Sequence, residues 1–587
     1  MRIVDTDVLI IGAGPAGASA AVFLSRHGVR CLLVSKHRGT SETPRAHITN
    51  QRAMEALRDA GLERSCMALA SPAESIGHTF FLRSMLGEEI ARVPAWGNAP
   101  ERIGDYAAAS PCGMCDLPQT ELEPILVSEA TRRGCEIRFR TELKDFAQDD
   151  SGVTARLLDR LTRQEFDVRA KFMIGADGAR SRVVEQLGIS LAGKHGLGHA
   201  INVYCEIALD DSIQHRQASL YAVIQPGSSL WAPVAVFRMV RRWDRWLVAL
   251  IVPESAANPE PSLDDIETRV RELVGYGATP VKILHVSRWT INDIVAEKYS
   301  VGRVFCMGDA VHRHPPTNGL GSNTCIQDAF NLAWKLALVL QGKAGPKLLE
   351  SYELERQPVG RQIVARANKS MIQNAIIWDL LGGGTRRVMT SEEHAAVFDT
   401  PEGRAQLRTE LDKMRYEYHA HGVELNRNYE STAVHADGAA RRPYERDAEL
   451  YYQPGTHPGS PLPHAWLGTR LPGPRVSTLD LAGKGRFALL TGHGGQAWCE
   501  AAQSVARELG LEIACYRIGP FLDYEDLYGS WMRLSEVEET GCVLVRPDLY
   551  VAWRSARLVV CPAEVLAEVM KSVLSLKKSD QPVSSRP

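Results

Sequence analysis

What this sequence has little of removes several classes of function. It has no surplus of either charge: 68 lysines and arginines stand against 70 aspartates and glutamates, for a net charge of −2. A protein that grips nucleic acid or an anionic membrane needs a basic surplus, so neither is an expected partner. No stretch reads as a membrane span, and the helix-like "LAWKLALVL" is interrupted by Lys335. A secretory leader is not expected, because Asp5 and Asp7 precede a short apolar run with no small-residue cleavage site. Cysteine is sparse, twelve in 587 residues, which argues against a secreted disulfide framework and for a reducing cytoplasm. Cys112 and Cys115 form one C-x-x-C with no second ligand pair nearby. They read as loop cysteines, and no metal site is expected. Internal repeats are absent.

What is present is the texture of a large α/β protein with α+β elements. The length implies about two to four domains. "TDVLIIGAG", "PAGASAAVFLSRHG" and "VRCLLVS" read as strand, small-residue helix and strand. This βαβ opening begins a Rossmann-like domain expected over 1–190 and 296–375. Between them, over 191–295, alternating segments such as "INVYCEIAL" and "RWLVALIVP" predict an inserted, mostly antiparallel sheet. A helical connector is expected over 376–455 and a small α/β domain over 456–575. The tail, 576–587, is expected to be disordered.

"IIGAGPAG" sets Gly12, Gly14 and Gly17 in G-x-G-x-x-G between strand and helix. Such glycines allow a tight turn and let a pyrophosphate approach the helix N-terminus. The usual ribose-binding acid is missing: the second strand ends at Ser35, followed by Lys36, His37 and Arg38. That basic cluster suits a 2′-phosphate, so this motif alone leaves FAD and NADP open. Two later motifs, "GADGARSRV" and "VFCMGDAVHRHPP", each follow an apolar strand. Their carboxylates suit sugar hydroxyls and their arginines suit phosphate.

Together these three motifs resemble the FAD-dependent aromatic hydroxylases of the para-hydroxybenzoate hydroxylase fold. "TPRAHITNQRAMEALRDAG", "SPCGMCDLPQTELEPIL" and "HRHPPTNGLGSNTCIQDAF" are similar to the phenol hydroxylase subgroup, over nearly the whole chain. The resemblance implies FAD as cofactor and NADPH or NADH as cosubstrate. It implies that Asp309 holds the ribityl chain, and that Asp177 and Arg180 bridge the pyrophosphate region and the path of the nicotinamide. Gly319 and Gly321 then present backbone N–H groups to the flavin, Gln119 reaches the flavin, and Arg45 lies beside ribose and diphosphate. Tyr204, Tyr221, Trp231, Arg238 and Pro316 are the expected pocket residues, with Arg238 facing the flavin. The last domain is similar to thioredoxin, but Ala502 stands where a second cysteine would follow Cys499, which excludes a dithiol cycle there. The family also implies a homodimer or homotetramer.

The expected reaction is ortho-hydroxylation of a phenol by O₂, with a chlorinated phenol as the favoured substrate class. Other hydroxylated rings (2-hydroxybiphenyl, an aromatic acid, a polyketide) and an oxidase or dehydrogenase without oxygen insertion are the alternatives. A phenolate directs attack to its ortho carbon, so a base with a pKa near working pH is needed. His47 meets that need and lies where the resemblance puts an acid/base residue. Asp116 either orients this base or caps the following helix, and the sequence alone favours neither.

Overall fold

A computed structural model describes residues 3–71, 73–226, 231–252, 260–275, 279–383, 389–469 and 473–576; almost the whole expected tail lies outside them. The first sheet is built around strand Ile3–Ile11, which pairs in parallel with Cys31–Val34 on one side and Glu165–Gly175 on the other. Val304–Cys306 and Glu136–Arg138 continue the parallel order outwards. A parallel sheet is covered on both faces, and Val8, Leu9 and Ile10 are accordingly fully buried. Helix Pro15–Arg26 packs on the long helix Gly321–Leu340, with Phe23 and Phe330 rings 4.9 Å apart. Its run of small residues, Ala16 to Ala21, permits the close approach that buries the second helix almost completely.

The second sheet has eight strands. It takes in more than the expected insertion: His78–Leu82 and Glu89–Pro94 extend one edge, and His312–Arg313 hooks onto the other. Side chains alternate faces along each strand. Tyr221, Val223, Phe237 and Trp246 bury one face in a cluster with Ile266, Val270 and Leu273 of helix Leu263–Val274. Ala222, Ile224, Val234 and Ile251 point the other way, toward the first sheet's domain.

Two expectations about organisation need correction. Helix Glu350–Leu380 runs straight through the boundary expected at 375. The segment beyond is not merely a connector. Ile377, Trp378, Leu381, Phe398, Leu407, Met414 and Tyr418 form one apolar wall with the inner face of the second sheet.

The C-terminal sheet runs Ile513–Arg517, Phe487–Thr491, Cys542–Val545, Val551–Ser555, with the first pair parallel and the others antiparallel. With helices Gln496–Leu509 and Pro562–Val573 this is the thioredoxin-like order. A disulfide joins Cys499 to Cys515 on the edge strand, 16 residues on. Ala502 leaves the C-x-x-C position without a second cysteine, as expected, and Cys499 takes its partner from the edge strand instead. This domain is riveted to the first by charge. Arg546 donates to both Glu355 oxygens (2.6 and 2.9 Å) and to Asp548, while Lys335 donates to Glu355 at 2.7 Å. All four side chains are essentially fully buried.

Candidate active site

The three N-terminal glycines have separate jobs. A Cβ on Gly12, whose φ is 110°, would lie 2.1 Å from the Ala176 carbonyl oxygen; one on Gly17 would lie 1.9 Å from that of Gly12. Both positions are closed by packing. At Gly14 the nearest atom is 4.0 Å away, and Gly14 caps helix Pro15–Arg26 without any side-chain hydrogen bond. No side chain is folded over the start of this helix, an arrangement that fits a diphosphate. Arg45 is exposed beside this turn, and its charge is felt by Glu123, whose carboxyl burial otherwise pushes up. Gln119 is four residues before Glu123 and donates to it at 2.6 Å. Ser35 is buried, and its hydroxyl accepts from the His37 amide.

The later motifs frame the same opening. Asp177 accepts from the Ser181 hydroxyl and the Arg182 and Val183 amides, so its carboxylate caps its own turn. Arg180 stays exposed and lines a cavity of about 330 Å³ with Arg313 and Leu191. Asp309 is exposed on a turn whose Gly308 amide donates to the buried Asp328 carboxylate. Asp328 also binds His312 at 3.0 Å and Arg356 at 2.8 Å. His314 donates to the Pro315 carbonyl, so the two histidines of H-x-H are spent on different partners.

A short ribbon builds the chemical centre. Ile48–Thr49 pairs antiparallel with Cys115–Asp116. The amides of Leu117 and Gln119 extend the pairing by donating to the carbonyls of His47 and Ala46. Residues 69 apart thereby meet: His47 Nδ1 lies 2.9 Å from Asp116 Oδ2. Asp116 is completely buried, and His47 is 15% exposed. The next helix starts at Gln119 with Pro118 in the cap position and no side-chain cap bond, so Asp116 is no helix cap. Arg238 reaches in from the second sheet. Its Nη1 donates to the Pro44 and Arg45 carbonyls, and Nη2 sits 3.8 Å from Asp116 Oδ1. Arg238 Nε and Nη2 and Asp116 Oδ1 have no hydrogen-bond partner in the protein. Burial, and then the Arg238 charge, push the His47 pKa below 6.5, against an opposing pull from Asp116. Burial also brings the Arg238 guanidinium down to about 10.

The glycine turn Thr317–Gly319 closes the other side. A Cβ at Gly319 (φ 61°) would come within 3.2 Å of the Ile48 Cβ. Asn323 stitches the pieces together: its Nδ2 donates to the Ile48 and Gly319 carbonyls, and its Oδ1 accepts from the Asn50 amide. Gly321 begins the long helix next to His314. Asn323 was not picked out in the sequence, though a polar side chain buried in the first turn of so apolar a helix is its signal. Glu123 was passed over for the same kind of reason, although it stands one helical turn beyond Gln119.

Two expected pocket residues need correction. Tyr221 stacks on Phe80, meets Trp246 edge-on and donates its hydroxyl to the Arg216 carbonyl, all on the sheet face turned away from His47. Trp231 packs against the same outer core. Tyr204 does share the face of Arg238, since both pair with Leu247 across the sheet. Pro316 is exposed at the start of the glycine turn.

Residues 5–367 match the FAD binding domain family, and residues 455–575 match the aromatic-ring hydroxylase C-terminal family. The chain belongs to the FAD-dependent aromatic-ring hydroxylases. This hydroxylase is 48% identical to the 2,4-dichlorophenol 6-monooxygenase of Delftia acidovorans, over 98% of its own length and 99% of the relative's. It is 45% identical to the phenol 2-monooxygenase of a Pseudomonas species, over 97% and 93%. Among solved structures it superposes on the flavin-dependent monooxygenase PieE, in complex with FAD and substrate, with TM-score 0.93 and 45% identity, over 98% of this chain and 100% of that one. The aklavinone-11 hydroxylase complex with FAD and aklavinone follows at TM-score 0.80 and 31% identity, over 98% and 100%. The hydroxylase is thus a flavin-dependent monooxygenase of mixed α/β architecture with FAD as its cofactor, and the open cradle at Gly14 fits that group.

Proposed function

We propose that this hydroxylase converts a phenol, with a chlorinated phenol favoured, to the corresponding catechol, consuming NAD(P)H and O₂ and releasing NAD(P)⁺ and water. The observation that carries the reading is the His47–Asp116 pair. With its Nδ1–H donated to Asp116, the ring keeps the lone pair on Nε2, and Nε2 is the atom we assign to take the phenol proton. Because its pKa is held below 6.5, His47 is neutral and ready to accept at neutral pH. Arg238 is assigned to fix the main chain of Pro44 and Arg45 and to steady Asp116. Ile48, Trp96, Met114 and Trp289 belong to the apolar cluster beside this pair, which suits a chlorinated ring. Bound FAD supplies oxygen activation, and we assign Arg45, Gln119, Asp309 and the Gly319–Gly321 amides to hold it. Arg180 and Arg313 are the cations placed to receive the nicotinamide dinucleotide. The choice between NADPH and NADH belongs to the same assay, as does the favoured halogen pattern.

The test is NADPH oxidation by FAD-loaded enzyme with and without 2,4-dichlorophenol, under ¹⁸O₂, with the product weighed. A chlorocatechol carrying one ¹⁸O supports the proposal, and unlabelled product refutes oxygen insertion. Stimulated oxidation that yields only hydrogen peroxide would assign the phenol as an effector and move the substrate to another ring. Two further expectations accompany this reading: a homodimer or homotetramer, checked by light scattering, and cytoplasmic residence, checked by fractionation.

A further inference from the structure

Beside the glycine turn lies a small cavity, walled mostly by apolar surface, that the proposed chemistry leaves unused. It has a volume of about 170 Å³, room for about five waters, and is lined by Lys369, Ser370 and Gln373 from one helix and by Lys413, Met414, Tyr416 and Glu417 from another segment. Glu417 forms its floor and is only 8% exposed. One Glu417 carboxyl oxygen has no hydrogen-bond partner, and neither has the buried Ser370 hydroxyl. The other face of Glu417 holds the turn itself. The Asn318 amide and the Asn374 side chain both favour the ionised form of its carboxyl. The Asn318 side chain in turn donates to the carbonyls of Tyr416 and Glu417. Asn318 is left-handed (φ 63°), a conformation an asparagine holds at a cost unless its surroundings enforce it. Thr317 is anchored to the same helix through the Ala367 carbonyl.

We infer that Glu417 is a positioning residue that holds an exchangeable proton beneath the flavin-binding turn and reaches solvent through this cavity. The cations facing it are already matched: Arg366 and Lys369 by Glu449, and Lys413 by Glu410. Asp447 is taken by the Tyr416 hydroxyl. Glu417 is therefore the acid in this cluster that no cation bonds, although the Arg366 charge reaches it. Burial raises its pKa to about 7, so gain or loss of its proton falls in the working range. When ionised, it grips the Asn318 amide more strongly and adds a negative charge below the turn; when protonated, it releases both.

The test reads the flavin and needs no substrate. FAD affinity and the oxidised-flavin absorbance are titrated between about pH 5.5 and 8.5 on wild type, Glu417→Gln and Asn374→Ala. The wild type is expected to titrate with a midpoint near the Glu417 value of about 7. Glu417→Gln keeps an acceptor for the Asn318 amide and should lose that titration. Asn374→Ala removes a group that favours the carboxylate and should move the midpoint upward. His47 titrates below 6.5 and is common to all three proteins. A Glu417→Gln curve that matches wild type overturns the inference. If that variant does not bind FAD, an unmoved midpoint in Asn374→Ala overturns it equally.

Discussion

Changing Asp116 to asparagine alters, above all, which nitrogen of His47 carries the proton. The carboxylate accepts from Nδ1 at 2.9 Å and thereby holds the tautomer with a free Nε2. An asparagine amide in the same place can donate instead, which favours Nε2–H and leaves no lone pair facing the phenol. The side chain is isosteric and completely buried, so the FAD cradle at Gly14 is left untouched. General base catalysis contributes about 10²- to 10⁴-fold. Asp116→Asn should therefore lose about that much kcat/KM for hydroxylation at pH 7 while retaining bound FAD. The deficit should shrink as pH approaches the phenol's own ionisation, about 10 for an unsubstituted ring. Arg238 also loses the carboxylate 3.8 Å away, so a modest fall in Tm is expected with it. The assay is a pH profile of kcat/KM with product quantified, beside FAD content and Tm. Wild-type kcat/KM at pH 7 would refute the orientation argument; equal losses at pH 7 and 10 would show that the damage is not to the base.

Three more predictions follow from the packing. Glu355→Ala leaves the buried Lys335 without its carboxylate and Arg546 with Asp548 alone, and should cost about 3–5 kcal/mol, seen as a large drop in Tm; a shift within error of wild type would refute the rivet. Gly12→Ala puts a Cβ 2.1 Å from the Ala176 carbonyl at a φ of 110° and should yield protein without FAD, read from its absorbance. Acid should weaken the fold through buried histidines: burial lowers His314, His419 and His464 to about 4 and His421 to about 3. Each is neutral in both states above 6.5, so its contribution is intact there. As pH falls from 6.5 toward 4, only the unfolded chain takes up protons and stability declines, which denaturant melts at pH 7.5 and 5 would reveal.

The parts legible in sequence are those whose cause is local. Strand, glycine turn and helix at Gly12–Gly17 are consecutive, and the steric demands that close two of those glycines act within a few residues. His47 and Asp116 could be named one by one, but the four-residue ribbon that brings them to 2.9 Å is too short to carry a strand pattern. Tyr221 fails for a different reason. Alternation says that it opposes its neighbours, not which face looks at the site, and only the full eight-strand sheet decides that. Cys515 and Glu417 act on elements reached through the tertiary fold: one on an edge strand, the other in a four-residue helix of a stretch that reads as a helical connector.

The charged rivet also has an order in time. Glu355 and Lys335 emerge from the ribosome early, but Arg546 follows Glu355 by 191 residues. At about 5–20 residues per second, that gap lasts about 10–40 s. Through it, the nascent first domain carries a Lys335–Glu355 pair whose second cation does not yet exist. The rivet closes only after the last domain has been made, and a ribosome that stops before Arg546 leaves Glu355 with Lys335 as its one buried cation.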